Sequence, residues 1–182
     1  MLPSPRRMIL IVSLFYATAL PLAQAATYTY VTLDVPFPGA HDTFATGVND
    51  RGQVVGGYTD SAGTTQGFRY RTALDHFSTM HIWQAEGVSA QDVNNVGEVT
   101  GFYGSTNGQL YGFLTQPFRS LQLDVPGAIL TEAAGLNDAG HVVGDYRDTH
   151  GVFHGFLHRS DAFVTIDAVT PGEYKRAGDG PD

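Results

Sequence analysis

His150, His154 and His158 stand at every fourth position of "THGVFHGFLHRS", a spacing that on a helix would turn three imidazoles to one side and suit a metal ion. Read as a strand, the stretch puts His154 and His158 on one face with Phe156 between them, and leaves His150 in a turn. Surface or rim histidines are therefore expected, and no metal ligand is assigned. Asp34, Asp124 and Asp167 come next, because each follows an aliphatic residue in an "LDVP", "LDVP" or "IDAV" context. At a strand end such an aspartate bonds local backbone; gathered into a ring, the three would offer hard oxygen ligands to Ca²⁺. Calcium is thus the one cofactor left open. Asp50, Asp60, Asp138 and Asp148 lie in turns without the spacing of a calcium loop. Trp83, the only tryptophan, sits in "HIWQAEG". Exposed, it would stack on a ligand or partner; the competing expectation is burial against a neighbouring repeat. The chain has no Gly-x-Ser-x-Gly elbow and no phosphate loop, so no catalytic residue is assigned.

The elements that must carry these residues form a repeat. "NDRGQVVGGYTDSAGTTQGF" from Asn49, "NNVGEVTGFYGSTNGQLYGF" from Asn94 and "NDAGHVVGDYRDTHGVFHGF" from Asn137 align without a gap. Shared positions include Asn49, Gly52, Tyr58 and Phe68, then Asn94, Gly97, Tyr103 and Phe113, then Asn137, Gly140, Tyr146 and Phe156. Asn-x-x-Gly ahead of a valine-rich run is hairpin chemistry, and a second polar turn closed by Gly63, Gly108 or Gly151 follows in each copy. Gly56, Gly101 and Gly144 fall inside strands, where glycine marks a bulge or a close backbone approach. A second element, "VTLDVPFPGA", returns as "LQLDVPGA" and, more loosely, as "FVTIDAVTPG".

Each repeat thus predicts about four short antiparallel strands, and the chain is expected to be all-β, built of β-propeller-type blades. A threefold β-trefoil is the alternative. The repeats are placed at 37–80, 81–125 and 127–169 within a domain spanning 26–172, and an additional N-terminal strand is expected at 27–36. That strand reads as the outer strand of a blade whose remainder is missing. Propellers close with four to eight blades. The three repeats are therefore expected to be a partial propeller or one completed elsewhere, by a second chain as in a six-blade homodimer or by sequence beyond Asp182.

The first 25 residues, with Arg6 and Arg7 ahead of an apolar run and Ala23-Gln24-Ala25, have the layout of a secretory signal peptide. A secreted, periplasmic or extracellular protein is expected, with no membrane association after removal of that segment; residues 173–182 are off the repeat pattern. The net charge of −8 and the lack of a Lys/Arg cluster argue against nucleic acid. With no cysteine, neither disulfides nor a thiolate zinc site is available.

The blocks "GVNDRGQVVGGY…QGF" and "GLNDAGHVVGDY…HGF", with "LDVPGA" between, resemble the HAF repeat of secreted bacterial proteins. The signature triplet appears as Gln66-Gly67-Phe68, Tyr111-Gly112-Phe113 and His154-Gly155-Phe156. The resemblance implies an extracellular, propeller-like repeat protein and brings no catalytic residues. Two function classes follow. One is a non-enzymatic binding or scaffold module for a glycan or protein ligand; the other is a propeller-type glycoside hydrolase or lyase, which needs converging carboxylates. The first is preferred, with Trp83, Asp34, Asp124 and Asp167 as candidate ligand contacts.

Overall fold

A computed structural model describes residues 28–116 and 119–168. The expected signal peptide and the tail from residue 173 lie outside the described residues. The compact unit begins at Thr32. Among the described residues it contains twelve strands: β1 His41–Val48, β2 Gln53–Thr59, β3 Thr65–Arg71, β4 His76–Thr79, β5 Ala85–Val93, β6 Val99–Ser105, β7 Leu110–Gln116, β8 Arg119–Leu123, β9 Leu130–Leu136, β10 Val142–Arg147, β11 Phe153–Arg159 and β12 Ala162–Ile166. They form three four-stranded sheets in the orders β1-β2-β3-β4, β5-β6-β7-β8 and β9-β10-β11-β12. All pairs are antiparallel.

One repeat makes one sheet. Among the described residues no strand pairs with a strand of another repeat. A trefoil barrel shares strands between repeats, so this is the arrangement of propeller blades.

Two repeated residues explain why each sheet forms. The Asn49 side-chain carbonyl accepts N–H bonds from Arg51 and Gln53, at 3.1 and 2.9 Å, and so holds the β1–β2 turn closed. Asn94 and Asn137 do the same in their own turns, and Gly52, Gly97 and Gly140 take the positive φ that completes each. Further along, a Cβ on Gly56, Gly101 or Gly144 would lie 2.0, 2.1 or 2.0 Å from the carbonyl oxygen of Phe44, Ser89 or Glu132. Register shifts occur beside these points in all three sheets, so the glycine is the residue that permits the bulge.

The sheets pack face on face in chain order. Val55 and Met80 of the first repeat share a core with Val88, Ala90, Val99 and Phe113 of the second. Leu114 and Leu123 of the second share another with Ala133, Val142 and Phe156 of the third. In each case the first strand of the later repeat, β5 or β9, lies against the sheet before it.

The expected N-terminal strand at 27–36 is corrected: Tyr28–Pro36 make no strand pairing. The reason is positional. Its counterpart β8 pairs with β7, the third strand of the same repeat, and β12 pairs likewise with β11. Residues 28–36 precede every third strand of the chain and have no such edge to join. Their end is nevertheless held, because Val35 is buried with Val54, Tyr58 and Phe68. The Val35 N–H donates to the Thr43 hydroxyl at 3.3 Å, as the Val125 N–H does to Thr131 at 3.1 Å.

Candidate ligand cleft between the repeats

Strand β3 places Arg69 and Arg71 two residues apart and therefore on one face. The corresponding residues of the second sheet are Leu114 and Gln116, with Leu114 buried. Arg69 thus brings a guanidinium to a place where the next repeat packs a leucine. It is half-buried, and its Nη2 donates to the Gly97 carbonyl at 3.1 Å. Burial first, and the neighbouring Arg71 charge second, push its pKa below the usual guanidinium range. Both arginines line a cleft of about 320 Å³ between the first and second repeats, with Gln53, Glu98, Thr115 and Gln116.

Neither arginine has a carboxylate within ion-pair distance among the described residues, although the chain carries 18 Asp and Glu against 10 Lys and Arg. The Glu98 carboxylate is engaged elsewhere, accepting the Asn94 amide at 2.8 Å. Two adjacent guanidiniums without a counter-ion, flanked by amide and hydroxyl groups, form a receptor for an anion that also carries hydroxyls.

The repeat-related cleft between the second and third repeats, about 340 Å³, has the opposite character. Glu98, Asp138 and Asp161 line it together with His158. His158 is buried against Phe163, with ring centroids 4.8 Å apart. This corrects the expectation of a surface histidine. Its strand partner is Val142, in the hairpin core, and burial pushes its pKa down. A larger hollow of about 420 Å³, walled by Phe44, Val88, Phe102 and Leu110, is mainly apolar.

The other predicted residues are dispersed. Asp34, Asp124 and Asp167 occupy equivalent places ahead of β1, between β8 and β9 and after β12, the β4–β5 link having no aspartate. None of them lines the two inter-repeat clefts, the apolar hollow or the small cleft beside Trp83. Burial pushes the Asp124 carboxyl up. Asp167 accepts from His154 Nδ1 at 2.8 Å, and this bond, followed by a second contact to Asp148, raises the imidazole pKa. Among the described residues no group of three or more His, Asp or Glu is placed to hold a metal ion.

Trp83 is 83% exposed, so burial against a neighbour is overturned. It sits in the β4–β5 link beside a small cleft of about 120 Å³ with Gln84, Ser120 and Gln122. The Arg69–Arg71 pair was missed by motif reading. The available signal was the departure of Arg69 from the repeat, a charge where another copy has leucine.

Comparison with protein-family models, with curated proteins and with solved structures finds no match.

Proposed function

We propose that this is an exported, non-enzymatic binding or scaffold module that holds an acidic glycan in the cleft between its first and second repeats. The adjacent, unneutralised Arg69 and Arg71 carry this reading. A carboxylated sugar matches both parts of the cleft: its carboxylate meets the guanidiniums, and its hydroxyls meet Gln53, Thr115 and Gln116. The volume of about 320 Å³ falls at the lower end of ordinary ligand sites. Export follows from the expected signal peptide, and the HAF-repeat resemblance supports an extracellular setting. The hydrolase or lyase reading has less support, because Asp34, Asp124 and Asp167 lie in separate segments and none of them lines a cleft described above.

The test is calorimetric titration with an oligogalacturonate and with a neutral oligosaccharide of the same length. Binding of the acidic sugar alone, weakened by salt and lost in Arg71→Gln with an unchanged melting transition, is expected. Equal binding of both sugars, or no binding of either, contradicts the proposal.

A further inference from the structure

The two repeat interfaces within the chain define what each face of a blade requires, and among the described residues one copy of each face is unmatched. Consider first the face that receives the next repeat. Val55 and Thr100 are fully buried there, whereas their counterpart Val143 is 45% exposed. Met80 and Leu123 are buried, whereas their counterpart Ile166 is 54% exposed. Gly67 and Gly112 lie under Val88 and Ala133 of the following repeat, and Gly155 has no such neighbour among the described residues.

The complementary face is the stripe on the first strand of each repeat. Ala90 and Ala133 are fully buried, and Ala45 is exposed. Val93 is buried, and its counterpart Val48 is 68% exposed. A terminal repeat that nothing covers needs a polar outer face. The inserted stripe keeps Ala45 and Val48, and the receiving face keeps Val143 and Ile166, although Asp145 there stands where the first two repeats have Gly57 and Phe102.

The polar contacts end in the same way. The Asn49 side-chain amide donates to the Asn94 backbone carbonyl at 2.8 Å, and the Asn94 amide donates to the Asn137 carbonyl at 3.0 Å. A parallel ladder runs one residue later: the Asp50 N–H donates to Asn95 Oδ1 at 2.9 Å, and the Asn95 N–H to Asp138 Oδ1 at 2.7 Å. Among the described residues, Asn137 Nδ2 and the Asp138 N–H have no acceptor. At the other end, the Asn49 carbonyl receives only the Gly52 N–H. The free donors of the third repeat are thus the ones that the free acceptors of the first repeat fit.

We propose that two copies of this chain associate head to tail, strand β1 of each lying on the third sheet of the other, so that both ladders continue through a ring of six blades. Six lies within the range in which propellers close. A second copy is the occupant because it alone brings Ala45, Val48, Asn49 and Asp50 in the register that the third repeat already uses toward the second. The incoming Leu33 is the counterpart of Ile166, which already holds the outer-strand place, so the incoming link takes up its repeat position only from Val35 onward. The interface is independent of the glycan reading.

Light scattering on a sizing column tests it with Val143→Asp, which alters the receiving face, and Ala45→Arg, which alters the inserted strand. Both residues are exposed, so the variants keep the cooperative melt; Ile166→Glu stands in if Val143→Asp does not. The wild-type chain is expected to be a dimer at micromolar concentration and each variant alone a monomer. An equimolar mixture is expected to regain dimer, since one of its two interfaces is unaltered. A monomeric or open-ended polymeric wild type overturns the proposal. So does an Ala45→Arg chain that still dimerises, because that pairing would be face to itself. Loss of glycan binding with dimer retained would count against the cleft alone.

Discussion

The second and third sheets share a hairpin pattern, from Asn94 to Phe113 in one and Asn137 to Phe156 in the other, yet one is packed on both faces and the other on one. Thr100 shows what enclosure demands: it is fully buried and its hydroxyl donates to the Phe113 carbonyl at 2.7 Å. Val143, at the same place in the third sheet, is an exposed valine that satisfies nothing polar and needs nothing polar. The difference teaches that burial here is set by the neighbouring repeat. The sheet's internal chemistry of asparagine turns and bulge glycines is complete without it.

Substitutions can break that comparison. The largest effect is expected for Thr100→Asp, which buries a charge between two sheets and removes a hydrogen bond. A destabilisation of about 3–5 kcal/mol is expected by denaturant unfolding. Val143→Asp in dissociated chains should cost no more than ~0.5 kcal/mol. Equal losses would show that the third sheet is enclosed within the monomer.

A smaller difference separates two asparagines. Asn94→Ala removes the turn acceptor for Val96 and Glu98, the bond to the Asn137 carbonyl and the bond to the Glu98 carboxylate. Asn137→Ala removes only the turn acceptor for Ala139 and His141. The first is expected to cost about 1 kcal/mol more in dissociated chains. In the dimer the gap should narrow to what the Glu98 bond contributes, because Asn137 gains the backbone acceptor that Asn94 already has.

The smallest effect comes from a side chain peculiar to the third repeat. Where the Gln66 amide steadies the turn residue Asp60 by donating a hydrogen bond of 3.0 Å to its carboxylate, His154 faces Asp167 and Asp148. Its folded pKa is raised, chiefly by the bond to Asp167, so the pair stabilises fully below the unfolded imidazole value of ~6.5 and fades as pH climbs through the folded one. The site is exposed, and the contribution is correspondingly slight. Melting temperature is expected to fall a little more for the wild type than for His154→Gln between mildly acid and alkaline pH. Parallel profiles would remove the imidazolium from the account.

The sheet itself was legible in the sequence because its determinants are local. An asparagine that bonds the N–H groups two and four residues on, and a glycine whose Cβ would meet a carbonyl, leave the same mark in every copy. What depends on distant neighbours was not legible. The segment 27–36 has the composition of a strand, but pairing also needs a vacant edge, and composition says nothing of edges. Trp83 and His158 reversed their expected exposure for the same reason: one lies in a link with little packed over it, the other against Val142 and Phe163. Arg69 was visible only as a departure from the repeat, which has Leu114 and Leu157 at that place, whereas Arg71 recurs as Arg159, and their want of carboxylate partners required the three-dimensional structure.

Hydrogen exchange of the wild-type protein across a dilution series tests the central comparison most directly. The readout is the protection of the β10–β11 amides relative to those of β6–β7. The account predicts that β6–β7 stays protected at every concentration while β10–β11 loses protection on dilution, in step with the fall in mass. Protection of β10–β11 that is independent of concentration, and equal to that of β6–β7, would contradict it.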